Sequence, residues 1–309
     1  MRALVTGGAG FIGSHIGARL CAAGIEVVAF DDLSTGKREN LAGIDARLVV
    51  GDVRDRAALG AAMAGCDLVF HEAAVVSVPK SVEDPQLSHD VNIQGTLNVL
   101  LEARARGVKR VVFAGSAAIY GEEPTLPKHE GMLPAPISPY GVEKITGELY
   151  LKAWPKLYGV ETVTLRYFNV FGPRQDPSSP YSGVISIFVQ RALSGAPITV
   201  FGDGLQTRDF VFVGDVAEAN YLAGTVPGVS GATFNVARGE QTTLVELLAM
   251  LGRIVGRDLS PTFAEARGGD IRYSIADVSA ARAALGWTAQ VGVEDGLRKL
   301  VDWFATIQR

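Results

Sequence analysis

The segment Gly7–Gly8–Ala9–Gly10–Phe11–Ile12–Gly13 constrains the fold more than any other part of the chain. It follows the apolar run 2–6 without a spacer and leads directly into helix-period residues at 13–23. A strand that turns into a helix over so few residues brings the first-turn N–H groups and the positive end of the helix dipole to the strand end, where a dinucleotide pyrophosphate can sit. Gly7, Gly10 and Gly13 form a G-x-x-G-x-x-G spacing. A glycine triplet alone also serves a tight turn with close helix packing, so its surroundings must decide between the two readings.

Those surroundings are βαβ in grammar. Residues 2–6, 26–30, 47–50, 68–71, 110–114 and 162–166 read as strands, and 13–23, 56–64, 91–106 and 140–158 carry apolar residues at helical spacing. Runs such as Val111–Val112–Phe113 are continuously apolar, as parallel strands covered on both faces require. The expected class is α/β, a Rossmann-type doubly wound parallel sheet. After Asn169 the pattern loosens into a Pro/Gly/Ser-rich stretch at 172–183 and shorter signals at 197–201, 244–255 and 293–306, while 210–213 and 233–236 look like strands returning to the first sheet. Two intergrown domains are therefore expected. Residues 1–170, with returning strands near 208–236, would form the dinucleotide-binding domain, and 171–207 with 237–309 a smaller α/β substrate domain.

Composition narrows the function. The 309 residues include 48% hydrophobic and 20% charged side chains, which excludes a disordered chain, and 36 glycines, well above the usual ~7%. A net charge of −4 gives no basic footprint for nucleic acid. Cys21 and Cys66 lack metal-ligand spacing, no apolar run is long enough to span a membrane, and the start MRALVTGG has no signal-peptide pattern, so a reduced, cytoplasmic protein without a metal site is expected.

Asp31 and Asp32 end the second strand, about 20 residues beyond the glycines, where a carboxylate can accept both ribose hydroxyls of an adenosine and disfavour a 2′-phosphate. Asp52, Val53 and residues 70–74 fall at further strand ends, the ligand side of an open sheet. His71 reads as a structural, hydrogen-bonded histidine. The most informative group is Ser116 at the end of the fifth strand with Tyr140 and Lys144 on the next long helix. An i,i+4 Tyr–Lys pair shares one helix face, and the ammonium, with a positive nicotinamide ring, can pull a phenol toward neutrality so that it serves as general base.

With these motifs quoted, the chain resembles the extended short-chain dehydrogenase/reductase superfamily, and within it the NAD-dependent epimerase/dehydratase family, over essentially its whole length. The stretches that carry the resemblance are VTGGAGFIGS (5–14), DDLSTG (31–36), GDVRD (51–55), HEAA (71–74), GSAAIYG (115–121), SPYGVEK (138–144), LRYFNVFGPRQ (165–175), RDFVFVGDVA (208–217) and RGGD (267–270). They look like those of UDP-hexose 4-epimerases. The resemblance implies that Ser116, Tyr140 and Lys144 are catalytic. NAD contacts are implied for Gly7, Gly10, Phe11, Ile12, Gly13, Asp31, Asp32, Asp52, Val53, Phe70, Ala73, Ala74, Asn92, Tyr140, Lys144 and Tyr167. Nucleotide-sugar contacts are implied for Ser77, Ser116, Asn169, Gln175, Val184, Thr199, Phe201, Arg208, Arg267, Asp270 and Ser274, with Arg208 and Arg267 on the diphosphate.

Ala117 and Ala118 stand where sugar-nucleotide dehydratases and decarboxylases of this fold carry an acid, which favours epimerisation. The implied activity is NAD-dependent interconversion of UDP-glucose with UDP-galactose through a transient 4-keto sugar. Small Ser274, at a pocket-lining position, extends it to UDP-GlcNAc and UDP-GalNAc. Another nucleotide-sugar epimerase, dehydratase or decarboxylase of the superfamily, and a non-catalytic dinucleotide sensor, stay open as alternatives. The resemblance also implies a homodimer, in which the two long helices 91–106 and 140–158 would pair with their copies as a four-helix bundle. Glu72 and Val76 depart from the family pattern, Glu72 because that position is commonly apolar or an amide.

Overall fold

The protein is described by a computed structural model covering residues 1–176, 183–266 and 271–307. Its centre is a seven-stranded sheet. The strands are β1 (Arg2–Thr6), β2 (Glu26–Asp31), β3 (Ala46–Val50), β4 (Leu68–His71), β5 (Arg110–Ser116), β6 (Glu161–Tyr167) and, from later in the chain, Ala232–Val236. That last strand lies beside β6, the sheet is parallel throughout, and β1 sits between β4 and β2. The chain therefore reverses its direction of sheet growth at β1/β4, and a crevice opens beyond the carboxyl ends of the strands there.

Helices cover both faces, as the unbroken apolar strands demand. The first in the chain are α1 (Phe11–Ala22), α2 (Arg56–Met63), α3 (Val78–Glu83), α4 (Pro85–His89), α5 (Gly95–Ala105) and α6 (Pro139–Tyr158). On one face Ile16 and Leu20 of α1 bury against Val5, Phe70 and Leu165. On the other, Leu59 and Met63 of α2, Val99 and Leu100 of α5, and Leu151 and Trp154 of α6 enclose Leu4, Val69 and Val111.

The long helix expected at 91–106 is instead α4, a π turn at Asp90–Gln94, and α5 in continuity. Asp84 and Pro85 start it early. The Asp84 carboxylate accepts from Leu87 N at 3.1 Å, and Pro85 has no N–H to leave unpaired in the first turn.

Beyond β6 lie β7 (Asn169–Phe171), α7 (Val184–Ser194), β8 (Thr199–Phe201), β9 (Thr207–Arg208), β10 (Phe210–Phe212) and α8 (Val213–Thr225). After them come the returning strand β11 (Ala232–Val236), then β12 (Thr242–Thr243), α9 (Leu244–Val255), β13 (Thr262–Ala264), α10 (Ser279–Leu285) and α11 (Val293–Ile307). Of the two segments expected to return to the main sheet, only β11 does. Residues 210–212 pair with β7 in a separate two-stranded parallel sheet. Phe210 and Phe212 bury with Phe171, Phe188 of α7, Leu247 of α9 and Leu300 of α11, so this apolar cluster, distinct from the cores on the sheet faces, draws the strand away.

Candidate functional site

The glycine turn works by close approach. Gly7 has φ 64°, and a Cβ there would lie 2.8 Å from the Ala73 nitrogen, so only glycine lets β1 and the loop after β4 come together at this point. A Cβ on Gly13 would run into the Gly7 carbonyl. No side chain caps α1 at Gly10, and its first turn holds no acidic residue. Phe11, Ile12 and Gly13 therefore present first-turn N–H groups to an anion, and the cradle fits a dinucleotide pyrophosphate.

Asp31, buried at the end of β2, accepts from Ala9 N at 2.9 Å and from Leu33 N at 2.8 Å. Burial pushes its carboxyl up, against the pull of those two N–H groups. Asp32 is exposed and accepts from Ser34 N and Oγ at 2.9 and 2.7 Å. Asp52 is gripped by Arg54 through Nε at 2.9 and 3.0 Å, and that guanidinium holds its carboxyl below the usual range. The carboxylates expected at the adenosine end thus sit at neighbouring strand ends.

Several expected cofactor contacts take a different form. The Phe70 ring and the Val53 side chain are buried in the two cores, so they can offer a ligand only backbone. The Asn92 amide is committed to protein. Its oxygen accepts from Val75 N at 2.8 Å, and its nitrogen donates to Val75 O at 3.0 Å and to Glu143 Oε2 at 2.6 Å. Asn92 therefore pins the loop carrying Ala73 and Ala74 to α6. Ala73 N also donates to Thr6 Oγ1 at 3.3 Å.

At the other end of the crevice stands the Ser–Tyr–Lys group. Ser138 caps α6 through Gly141 N at 3.2 Å and Pro139 opens the helix, which sets Tyr140 in the first turn. Tyr140 N donates to Ser81 Oγ at 3.1 Å. Ser116 Oγ accepts from Ala118 N at 3.1 Å, and the Ser116 side chain lies close enough to the Tyr140 phenol to favour its ionised form. One turn on, Lys144 is 4% exposed; its Nζ donates to Ala114 O at 2.9 Å and lies 5.7 Å from the Tyr140 ring centre. The three expected residues do meet.

Their protonation departs from the expectation in an instructive way. Tyr140 keeps some surface, yet protein surrounds it in depth, and burial pushes its phenol up to about 12, outweighing the opposite pull of Ser116. Burial brings Lys144 down to about 8, while Glu72 and Glu143 act to hold its proton. Lysine alone does not make the phenol a base at neutral pH; a second positive charge nearby is needed.

His71 is structural, as its sequence context indicates. Its ring bridges Thr6 Oγ1 at 2.8 Å and Thr96 Oγ1 at 3.0 Å, and burial lowers it to about 3, so it is neutral. Sequence reasoning missed the contacts made by its neighbours. Tyr167 at the end of β6 donates to Glu72 Oε1 at 3.0 Å and accepts from Asn220 Nδ2 at 2.7 Å, while Ser88 Oγ donates to Glu143 Oε2 at 2.6 Å.

On the substrate side the second region brings some residues together. Asn169 N donates to Asp209 O at 3.1 Å, placing Asn169 beside Arg208. Arg208 Nη1 donates to Thr207 O and Ile271 O at 2.8 and 2.6 Å. Ser274 N donates to Thr207 Oγ1 at 3.3 Å, so Ser274 flanks the same strand. The Asp209 carboxylate accepts from the N–H groups of Arg238, Gly239 and Ala276, and burial raises it to about 6.

Phe201 O accepts from Gln206 Nε2 at 2.6 Å, and Thr199 shares the face of β8 opposite buried Val200. Gln175 Oε1 accepts from Ser186 Oγ at 2.7 Å, which ties Gln175 to the start of α7 near Val184. Ser77 uses its hydroxyl to cap α3, accepting from Lys80 N at 3.0 Å, so a sugar would compete with a helix cap for it. Arg267 and Asp270 lie outside the described residues.

A family model described as the NAD dependent epimerase/dehydratase family matches residues 3–237. The chain belongs to that family. Among solved members, a Thermus thermophilus UDP-glucose 4-epimerase in complex with NAD is 42% identical, with 99% of each chain covered and a TM-score of 0.90. A Thermotoga maritima UDP-glucose 4-epimerase with UDP-glucose is 40% identical over 100% of both chains, at a TM-score of 0.95. A UDP-N-acetylglucosamine 4-epimerase of Methanobrevibacter ruminantium, in complex with UDP-N-acetylmuramic acid, is 38% identical, covering 99% of this chain and 98% of its own, at a TM-score of 0.94. The glycine cradle and the Ser–Tyr–Lys group described above both fall inside the stretch that the epimerase/dehydratase family model matches.

Proposed function

We propose that the protein is an NAD-dependent isomerase, a UDP-hexose 4-epimerase that interconverts UDP-glucose with UDP-galactose and UDP-GlcNAc with UDP-GalNAc through a transient 4-keto sugar. The observation that carries this reading is the meeting of Ser116, Tyr140 and Lys144 beside an uncapped glycine turn, with Ala117 and Ala118 in place of an acid. Full-length similarity to UDP-hexose 4-epimerases supports it.

The pyrophosphate of NAD would lie on the first turn of α1, the adenosine ribose at Asp31, and the nicotinamide toward Tyr140. When bound, NAD supplies a reversible hydride acceptor and the second positive charge that the phenol needs. Tyr140 takes the proton of the sugar 4-hydroxyl and returns it after the keto sugar has turned over. Ser116 hydrogen-bonds the same oxygen, and Lys144 favours the phenolate. A second carboxylic acid has no task in this sequence, which is why two alanines can follow Ser116. Arg208 pairs with the diphosphate. Small Ser274 beside it leaves room for an N-acetyl group.

The separate cluster around α7, α9 and α11 supports a division into two units, although Ala281, Leu285 and Trp287 pack with the sheet-face core. In this reading residues 1–170 with the returning segment near 208–236 bind NAD, while 171–207 and 237–309 bind the nucleotide sugar. Exposed Val142, Leu149 and Leu157 on α6 support a homodimer through the long helices. Two free cysteines support a reduced, cytoplasmic setting. Among the described residues no helix is long and apolar enough to cross a membrane. The test is incubation of the purified, NAD-loaded protein with UDP-galactose and with UDP-GalNAc, resolving the C4 epimers. Each should equilibrate with its epimer, and no interconversion of either sugar contradicts the reading.

A further inference from the structure

Glu72 stands where three strand ends converge. It directly follows β4, and its N–H donates to Thr6 O of β1 at 3.2 Å. Its carboxylate accepts from Tyr167, which ends β6, and Tyr167 is itself held by Asn220 of α8. Lys144 reaches in from α6 to Ala114 O of β5, the strand between. Several titratable or charged groups face this carboxyl. They are Lys144 and Tyr140 from α6 and Tyr167 from β6, while Glu143 of α6 and neutral His71 of β4 interact with Lys144 rather than with this carboxyl. Because β4 pairs His71 with Phe113, Glu72 lies level with Ala114, whose carbonyl holds Lys144. The glycine turn contributes backbone and α8 an uncharged amide.

We propose that Glu72 is a positioning residue of the epimerase reaction, holding Lys144 in its ammonium form beside Tyr140 while Tyr167 fixes the carboxylate in place. The Lys144 ammonium is removed from water, and one carbonyl cannot replace its hydration. Of the two carboxylates that favour its proton, Glu143 is already bound by Ser88 and Asn92. Among the described residues Glu72 is held by one donor, the Tyr167 phenol, against two on Glu143, so more of its charge remains to act on the lysine. Burial lifts Glu72 to about 7 against the pull of Tyr167 and Lys144, so carboxylate and ammonium hold one another's charge in the range where the enzyme would work.

This inference rests on the reading of Tyr140 and Lys144 as the catalytic pair, and the test separates the two. The alkaline limb of the kcat profile of the NAD-loaded enzyme would be measured alongside an NMR titration of the lysine amines, with Lys144→Met assigning the Lys144 signal. Glu72→Gln keeps an acceptor for Tyr167 but removes the charge. It should move both the alkaline limb and the Lys144 titration to lower pH by about 1 unit, the lower end of the shift a nearby charge gives. Tyr167→Phe, which frees the carboxyl to take up a proton, should move both the same way by less. Glu72→Asp, which restores the charge, should bring both back toward the parent values. A folded Glu72→Gln or Tyr167→Phe variant with both readings unmoved overturns the proposal. An active Tyr140→Phe would instead remove the catalytic reading, and the Lys144 titration reports on Glu72 in either case.

Discussion

The two ends of the crevice handle charge in opposite ways. At the end proposed for the adenosine, Asp31, Asp32 and Asp52 are held by backbone N–H groups or by Arg54, partners that fix each carboxylate as an acceptor. At the end proposed for catalysis, Glu72, Tyr140, Lys144 and Tyr167 share few partners, and burial displaces each further from its ordinary protonation range than Asp31 or Asp52 is displaced. One end is built so that protons stay where they are. The other is built so that one can move, and a small added charge decides where it goes.

The largest expected effect falls at the catalytic end. Tyr140→Phe should lower kcat by roughly 10³-fold or more, with KM little changed and the fold intact by circular dichroism, because it removes the proton acceptor and little else. Ser116→Ala should cost about 10–100-fold in kcat, the value of a hydrogen bond to a group that becomes charged. At the adenosine end the expected effect is on binding. Asp31→Asn should weaken NAD retention about 10-fold, read by cofactor release on dilution, with kcat at saturating NAD near that of the parent. A large kcat loss in Asp31→Asn, or a KM-only effect in Tyr140→Phe, would break the contrast between the ends.

The smallest effect concerns His71, which lies between them. Its proton is excluded in the folded state down to about pH 3, whereas the unfolded chain protonates it near pH 6.5. The stability this gives is complete above pH 6.5 and is lost as the pH falls from there toward 3. His71→Gln should be about 1 kcal/mol less stable than the parent at pH 7, for loss of its hydrogen bonds, with the gap closed or reversed at pH 5, where protonation of the unfolded chain costs the parent about 2 kcal/mol that the glutamine variant does not lose. Urea melts at the two pH values test this. A gap that stays constant or widens would contradict a neutral, buried His71.

Much of this was legible in the chain because the signals are local. The glycine turn sits between one strand and one helix, and Tyr140 and Lys144 are a single helical turn apart, so spacing alone places them. Unbroken apolar runs marked the parallel strands. What stayed hidden depends on partners far along the chain. The pairing of 210–212 with β7 follows from the cluster around Phe171 and Leu300, which no period reveals. The capture of Asn92 by Val75 and Glu143 spans 17 and 51 positions. The early start of the helix before α5 was within reach, since Asp84–Pro85 is a cap followed by a first-turn proline. The upward displacement of Tyr140 was beyond spacing, because it depends on the depth of burial around the phenol.

The central claim is that a hydride leaves C4 of the sugar and returns to the opposite face of the same carbon, with Tyr140 carrying the proton. The most direct measurement uses UDP-galactose deuterated at C4, incubated in ordinary water with the NAD-loaded protein, followed by NMR of the UDP-glucose formed. The account predicts inverted product with deuterium retained at C4, formed roughly 10³-fold or more slowly by Tyr140→Phe. Product that has exchanged its C4 deuterium for solvent hydrogen, or a sugar that never inverts, would contradict it.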